Sequence, residues 1–282
     1  MLLVTTIAAV RARRQELART ARRVALVPTM GALHEGHLAL VRRARELADE
    51  AWVSVFVNPA QFAPHEDFAS YPRDLERDRA ALEGAGAALH FAPGVKEMYP
   101  RPTATVVDLP ELTASLCGAH RPGHFRGVAL VVTKLLNIVQ PHVALFGAKD
   151  WQQAAVIRRM VEDLDIPTAI EVHPTVRESD GLALSSRNAY LAGEERAAAR
   201  VLSRALAEAA RVARAGERRG AALEGALAAE VAREPLARLQ YAAAVDPATL
   251  RPLPEIAGRV LLALAVFVGT TRLIDNLLVE DL

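Results

Sequence analysis

VALVPTMGALHEGH, residues 24–37, is the stretch on which the fold turns. Val24 to Pro28 is a short continuous apolar run, the mark of a strand buried on both faces. A glycine-bearing turn follows. From about Gly36 to Asp49, Leu38, Val41, Ala44, Leu47 and Ala48 recur on one side of a helix. The same alternation continues along the chain. AWVSVFV at 51–57, ended by Asn58-Pro59, reads as a strand, as do ALHFAP at 88–93, HVALFG at 142–147 and TAIEVHP at 168–174. Helices are expected at about 73–84, over Val128 to Val139, and from a capping Asp150 to about Leu164. Strands that alternate with helices imply right-handed crossovers and a parallel sheet. The expected fold class is therefore α/β, with a Rossmann-like domain over residues 1–174.

The texture changes after about residue 190. Gly193 to Arg214 reads as one long Ala-rich amphipathic helix, and a second helix is expected at about 221–233. Three strand-like stretches follow, at 237–245, 260–268 and 271–279. Leu239, Tyr241, Ala243 and Val245 alternate with period two, and Gly269-Thr270 invites an antiparallel hairpin. Residues 175–282 are expected to form a smaller α+β lid domain with an antiparallel sheet.

Composition narrows the function classes. The chain has 282 residues, 51% hydrophobic, with a formal net charge of +1, which rules out a generally basic nucleic-acid coat. With 5% aromatics, an Arg-rich RNA-binding module is disfavoured too, and no nucleic-acid partner is expected. The single cysteine, Cys117, excludes an internal disulfide and any multi-Cys metal site. The longest apolar run, Val260 to Gly269, is about half of the roughly 20 residues a spanning helix needs, so no membrane segment is expected. MLLVTTIAAV at the N-terminus has no basic residue ahead of its apolar stretch, and Glu16 interrupts the arginines at 11–23, which read as a surface helix. A cytoplasmic protein is expected. Only Lys96, Lys134 and Lys149 are lysines among the 34 basic residues; mutational bias in a GC-rich genome explains most of that excess of arginine, and against it Lys134 and Lys149 stand out as candidates for a compact ammonium.

Five segments carry the chemistry. In PTMGALHEGH, Gly31 lets the backbone turn and Gly36 lets a ligand approach closely. His34 and His37, three apart, share a face of the first helical turn, where free N–H groups and the positive end of the helix dipole favour a phosphate. A zinc site there would need a third ligand and the i,i+4 spacing of HExxH. In SSRN at 185–188, hydroxyls and a guanidinium can grip phosphate oxygens, although a solvated N-cap explains the same residues. FGAKDWQQ at 146–153 ends a buried strand at the ligand-binding edge of an open sheet, with Lys149 as a point charge and Gln153 on the following helix. FVNPAQF at 56–62 holds Gln61 behind a stiffening Pro59. HRPGHFRGVALVVTKLLN at 120–137 has a basic, glycine-containing loop suited to an anionic pocket, and sets Lys134 in a strongly apolar helix, either snorkelling or functional.

In this order and combination, NPAQF, RPGHFRGV, GAKDWQQ and DGLALSSRN resemble the pantoate–β-alanine ligase family, over most of the chain from Val24 to about Leu191. HEGH at 34–37 is similar to the HIGH signature of the wider nucleotidyltransferase group, and LSSRN at 184–188 to its KMSKS-type loop. Ala148 and Trp151 depart from the Glu and Phe common in the family there; neither carries charge chemistry. The resemblance implies ATP-dependent ligation of pantoate and β-alanine through a pantoyl adenylate, with release of pyrophosphate and then AMP. It implies an ATP site at Met30, Gly31, Ala32, Leu33, His34, Glu35, Gly36 and His37, at Gly147, Ala148, Lys149 and Asp150, at Val176, and at Leu184, Ser185, Ser186 and Arg187. Catalysis would fall to His34, Lys149, Ser185, Ser186, Arg187 and His37, the last as proton donor. Gln61 would meet both pantoate and β-alanine, Gln153 pantoate, and Lys134 the phosphates or pantoate. Magnesium would bridge the ATP phosphates, with Asp74 and Asp78 behind its waters, and the protein would be a homodimer. A related nucleotidyltransferase acting on a phosphorylated acceptor is the nearest rival; it gives no reason for the two glutamines.

Overall fold

The computed structural model describes residues 1–64, 66 and 68–282. The chain divides into two compact units. The first comprises Met1–Leu109, Arg121–Ala148 and Val156–Pro174; the second comprises Pro110–His120, Lys149–Ala155 and Thr175–Leu282. The sequence pattern places all of 1–174 in the first domain. Two short segments, 110–120 and 149–155, instead group with the C-terminal unit.

In the first unit the strands are β1 (Leu2–Val4), β2 (Val24–Thr29), β3 (Glu50–Val55), β4 (Leu89–Phe91), β5 (Val143–Gly147) and β6 (Ala169–His173). They form one parallel sheet in the order β1-β4-β3-β2-β5-β6. The helices along this part of the chain are α1 (Ile7–Arg19), α2 (Glu35–Leu47), α3 (Leu75–Ala85), α4 (Val95–Met98), the short α5 (Pro110–Thr113) and α6 (Leu116–His120), α7 (His124–Val139) and α8 (Trp151–Asp163); α5, α6 and the first turn of α8 lie in the segments that group with the second unit. Alternate residues of β2 serve opposite faces. Val24 and Leu26 join a core with residues of α1, α7 and α8. Ala25 and Val27 join a second core with α2 and α3. This two-sided burial is why the strand reads as an unbroken apolar run. The chain moves outward from β2 in both directions across the sheet, so the switch point lies between β2 and β5, where open α/β sheets bind ligands.

In the second unit α9 (Glu194–Ala198), α10 (Val201–Arg214) and α11 (Gly220–Val231) accompany an antiparallel sheet of β7 (Ala237–Val245), β8 (Val260–Val268) and β9 (Thr271–Val279). Leu262, Leu264, Val266 and Val268 pack with the apolar stripe of α10 and α11. The expected single helix over 193–214 is broken. At the joint the ladder tightens to i,i+3 bonds from Arg200 N–H to Ala197 and from Leu202 N–H to Ala199. The Arg200 guanidinium takes the Ala197 carbonyl at 3.0 Å. No helix among the described residues is long and apolar enough to cross a membrane.

His90 on β4 is fully buried, and neither ring nitrogen has a hydrogen-bond partner among the described residues. Burial, helped by the Arg79 charge, holds its pKa below the usual imidazole range. Below about pH 6.5 the unfolded chain binds a proton that the folded chain refuses, so stability is complete above that pH and falls as pH drops. Between pH 7.5 and 5.5 the wild type should lose more stability than His90→Leu in urea unfolding. Parallel pH dependences would show that His90 ionises as freely in the fold as outside it.

Candidate functional site

The turn after β2 is built around one buried carboxylate. Asp78 of α3, 2% exposed, accepts the N–H of Leu33 at 2.8 Å and of Ala32 at 3.1 Å. Burial raises its pKa, against the pull of those two N–H groups. Gly31 stands at φ +88°, and a β-carbon there would lie 2.8 Å from Asp78 Oδ2, so the position needs glycine for both conformation and space. Met30 leads into this turn.

His34 is the N-cap of α2 and His37 sits one turn in. Their ring centroids are 4.1 Å apart. The His34 N–H donates to His37 Nδ1 at 3.4 Å. A neutral His37 that accepts at Nδ1 carries its proton on Nε2, so the ring is a donor at the positive end of a 13-residue helix. Glu35 is exposed and paired with Arg42.

Gln61 closes a 3-10 turn over Pro59–Gln61 and is 8% exposed. Asn58 Nδ2 donates to Gln61 Oε1 at 3.0 Å and to the Gly127 carbonyl at 3.1 Å. Gly127 permits the contact: a β-carbon there would lie 2.2 Å from the Ala60 carbonyl oxygen. Gln61 Nε2 faces Met30 Sδ at 3.2 Å. The Gln61 backbone carbonyl lies 2.8 Å from His124 Nδ1, and His124 Nε2 lies 2.9 Å from Arg121 Nη1. A guanidinium only donates, so the neutral His124 ring bears its proton on Nδ1 and donates it to Gln61. Arg121 also grips Glu66 through two bonds of 2.6 and 2.7 Å. Burial pushes Glu66 up, but the Arg121 hydrogen bond and charge prevail and hold it down to about 2. The basic loop at 120–124 is thus an anchor for the Gln61 turn, with the Arg121 charge answered by Glu66. The Lys134 ammonium lies over the Tyr99 ring, 5.6 Å from its centroid, and the Tyr99 hydroxyl donates to Asn58 Oδ1 at 2.8 Å.

Asp74 and Asp78, expected near a magnesium, are occupied otherwise. Asp74 caps α3 by accepting the Arg77 N–H at 3.0 Å, and Asp78 holds the 31–33 turn. Among the described residues no group of three or more His, Cys, Asp or Glu could hold a metal ion.

The second unit gathers the other expected residues. Val176 accepts the Leu184 N–H at 3.0 Å, so the two sit on paired arms of a loop whose Arg177 and Ala183 form an antiparallel bridge. Ser185 caps the 3-10 turn Ser186–Tyr190 by accepting the Arg187 N–H at 3.3 Å. Asn188 ties that turn back to the Ala183 carbonyl at 3.1 Å. Lys149 and Ser185 line one small cleft with Ala183, Asn188 and Asp275. The Lys149 carbonyl accepts Asn276 Nδ2 at 2.7 Å. Asp275, 2% exposed, is held by both Nη atoms of Arg177 at 2.7 and 3.0 Å. The two glutamines of GAKDWQQ separate cleanly. Gln152 is buried, with its amide on the Cys117 N–H and the Leu112 and Ser115 carbonyls. Gln153 is half-buried. Gly147 and Ala148 belong to the first unit, Lys149 and Asp150 to the second.

The structure therefore brings Met30, His34, His37 and Gln61 together in one unit, and Lys149 and the Ser185 turn in the other. A sequence model of the pantoate-beta-alanine ligases matches residues 2–278. The chain belongs to the pantoate–β-alanine ligase family. The pantothenate synthetase of Moorella thermoacetica is 57% identical over 285 residues, covering 99% of each chain. That of Heliobacterium modesticaldum is 54% identical over 280 residues, covering 99% of this chain and all of the other. A crystal structure of pantothenate synthetase from Thermus thermophilus superposes with a TM-score of 0.93 at 50% identity, covering 98% of this chain and 99% of that one. The Francisella tularensis pantoate-beta-alanine ligase, solved with beta-gamma ATP and beta-alanine, has a TM-score of 0.79 at 33% identity, covering 99% of this chain and 97% of that one. Family membership agrees with the parallel-sheet domain and smaller α+β domain expected from sequence, and makes the chain a ligase.

Asn58, Tyr99 and Asn276 touch the expected site residues and are not singled out by the sequence. Asn58 stands in FVNPAQF, where an asparagine before proline at a strand end can serve as a cap. Asp275-Asn276 is a polar pair between the apolar pairs Leu273-Ile274 and Leu277-Leu278, a signal that it holds something. Tyr99 gives no signal.

Proposed function

We propose that the chain condenses pantoate with β-alanine in an ATP-dependent reaction that passes through a pantoyl adenylate. The observation that carries this reading is the 30–37 loop: paired imidazoles at the N-terminus of α2, beside the switch point of a parallel sheet, with Gln61 pinned next to Met30.

A carboxylate oxygen of pantoate attacks the α-phosphorus of ATP, the bond to the β-phosphate oxygen breaks, and pyrophosphate leaves. Charge builds on the phosphate oxygens as this happens. The His37 Nε2–H, His34 and the N-terminal end of α2 are donors for that charge, which is where preorganisation accelerates a reaction. In the second unit, Lys149, Ser185, Ser186 and Arg187 offer a cation, hydroxyls and a guanidinium, groups suited to phosphate. The β-alanine amine then attacks the acyl carbon; the acyl–phosphate oxygen bond breaks and AMP departs with the former carboxylate oxygen. Gln61 orients pantoate and then β-alanine, and Gln153 pantoate. Magnesium enters only as the companion of the ATP phosphates, since Asp74 and Asp78 have backbone partners. The buried free thiol of Cys117 suits a reducing cytoplasm, and the family resemblance supports a homodimer.

Oxygen tracing tests the sequence of bonds. With pantoate labelled by ¹⁸O in its carboxylate, one labelled oxygen should appear in AMP. Unlabelled AMP, or ADP in its place, would contradict the adenylate.

A further inference from the structure

We infer that Tyr99 is a positioning residue: through Asn58 it fixes the Gln61 amide so that only N–H donors face the substrate. The inference rests on the assignment of Gln61 to substrate.

The argument is one of hydrogen-bond capacity. An asparagine amide has two donors and two lone pairs. Asn58 is 1% exposed, and all four are matched. Its Oδ1 accepts the Ala60 N–H at 3.3 Å and the Tyr99 O–H at 2.8 Å. Its Nδ2 faces the Gly127 carbonyl at 3.1 Å and Gln61 Oε1 at 3.0 Å. The backbone partners forbid reversal, since a flipped amide would set donor against donor at Ala60 and oxygen against oxygen at Gly127. Gln61 must therefore turn its own oxygen to Asn58, leaving Nε2 beside Met30 Sδ, a weak acceptor that a ligand oxygen can displace. The site so built takes a carboxylate or hydroxyl oxygen at that point and rejects a donor.

Tyr99 makes the shorter of the two bonds to Oδ1. Without it, Asn58 keeps only the long Ala60 contact and a buried lone pair is left bare, so the amide that aims Gln61 loosens. The Tyr99 phenol is pushed up to about 12 by burial, so it stays a donor throughout the working range of pH. Lys134 lies over its ring and braces it.

A double-mutant cycle on the full chain decides the matter. Pantoate is varied at saturating ATP and β-alanine for the wild type, Tyr99→Phe, Gln61→Ala and the double variant. Tyr99→Phe should raise the pantoate KM about 5-fold, the loss of one neutral hydrogen bond, with the ATP KM within about twofold of wild type. In the Gln61→Ala background it should have no further effect. Asn58→Asp, nearly isosteric but without donors, should raise the pantoate KM at least as much as Tyr99→Phe. An unchanged pantoate KM in Tyr99→Phe, or the same multiplicative rise in both backgrounds, overturns the inference while leaving Gln61 on the substrate. If Gln61→Ala alone leaves the pantoate KM unchanged, the substrate assignment of Gln61 falls and the inference with it.

Discussion

Replacing His37 with alanine is expected to lower adenylate formation by about 10²–10³-fold, the usual scale for removing one donor that acts in the transition state. The ring stands on the first turn of α2, 4.1 Å from His34 between centroids, and accepts at Nδ1 from the His34 N–H at 3.4 Å. A neutral ring that accepts there carries its proton on Nε2, as a donor to a phosphate oxygen requires. Little of this interaction is made in the ground state, where the α-phosphate carries less charge, so the loss should appear in the single-turnover rate with only a small change in ATP affinity. The turn itself should survive, because Asp78 holds Ala32 and Leu33 independently of the imidazole. A near-native single-turnover rate in His37→Ala would remove the imidazole from the chemistry.

The second large effect is expected at Lys149. Lys149→Ala should also slow adenylation by about 10²–10³-fold. Its carbonyl is fixed by Asn276, and it shares a cleft with Ser185 and Asp275. Asp275 is already neutralised by the paired bonds from Arg177, so the ammonium is not required to balance that buried carboxylate and can serve an anionic ligand. Lys149→Arg should recover only a part of the rate, since a planar fork does not replace a compact charge in a small cleft. In a chain with 31 arginines, a lysine retained here fits that requirement. Lys149→Ala with a single-turnover rate within about threefold of wild type would exclude the role.

The parts of the fold that are legible in the sequence are those whose burial is regular. β7, β8 and β9 have the expected bounds because β7 alternates with period two, β8 is an unbroken apolar run, and Gly269-Thr270 marks the turn between the last two. β1 is not legible: three residues long, it pairs only with β4 and has too few positions to show a period. The break between α9 and α10 escapes because the alanines on either side keep one apolar stripe, and the side-chain bond from Arg200 to Ala197 leaves no compositional trace. In the site, residues expected to meet a ligand directly are visible as motifs, since their polarity is out of place at strand ends. The residues that hold those residues are less visible. Asp78 looks like any acidic residue of an amphipathic helix until its carboxylate is seen beneath the 31–33 turn. Tyr99 and Asn58 come together only through tertiary contact, 41 positions apart.

The central claim is that this chain makes an acyl adenylate of pantoate before β-alanine takes part. ATP–pyrophosphate exchange tests it most directly, with labelled pyrophosphate, magnesium, and pantoate as the only added carboxylate. The account predicts label entering ATP in a reaction that requires pantoate and proceeds without β-alanine. Exchange that is absent from a folded, ATP-binding sample, or that appears only when β-alanine is added, would contradict it.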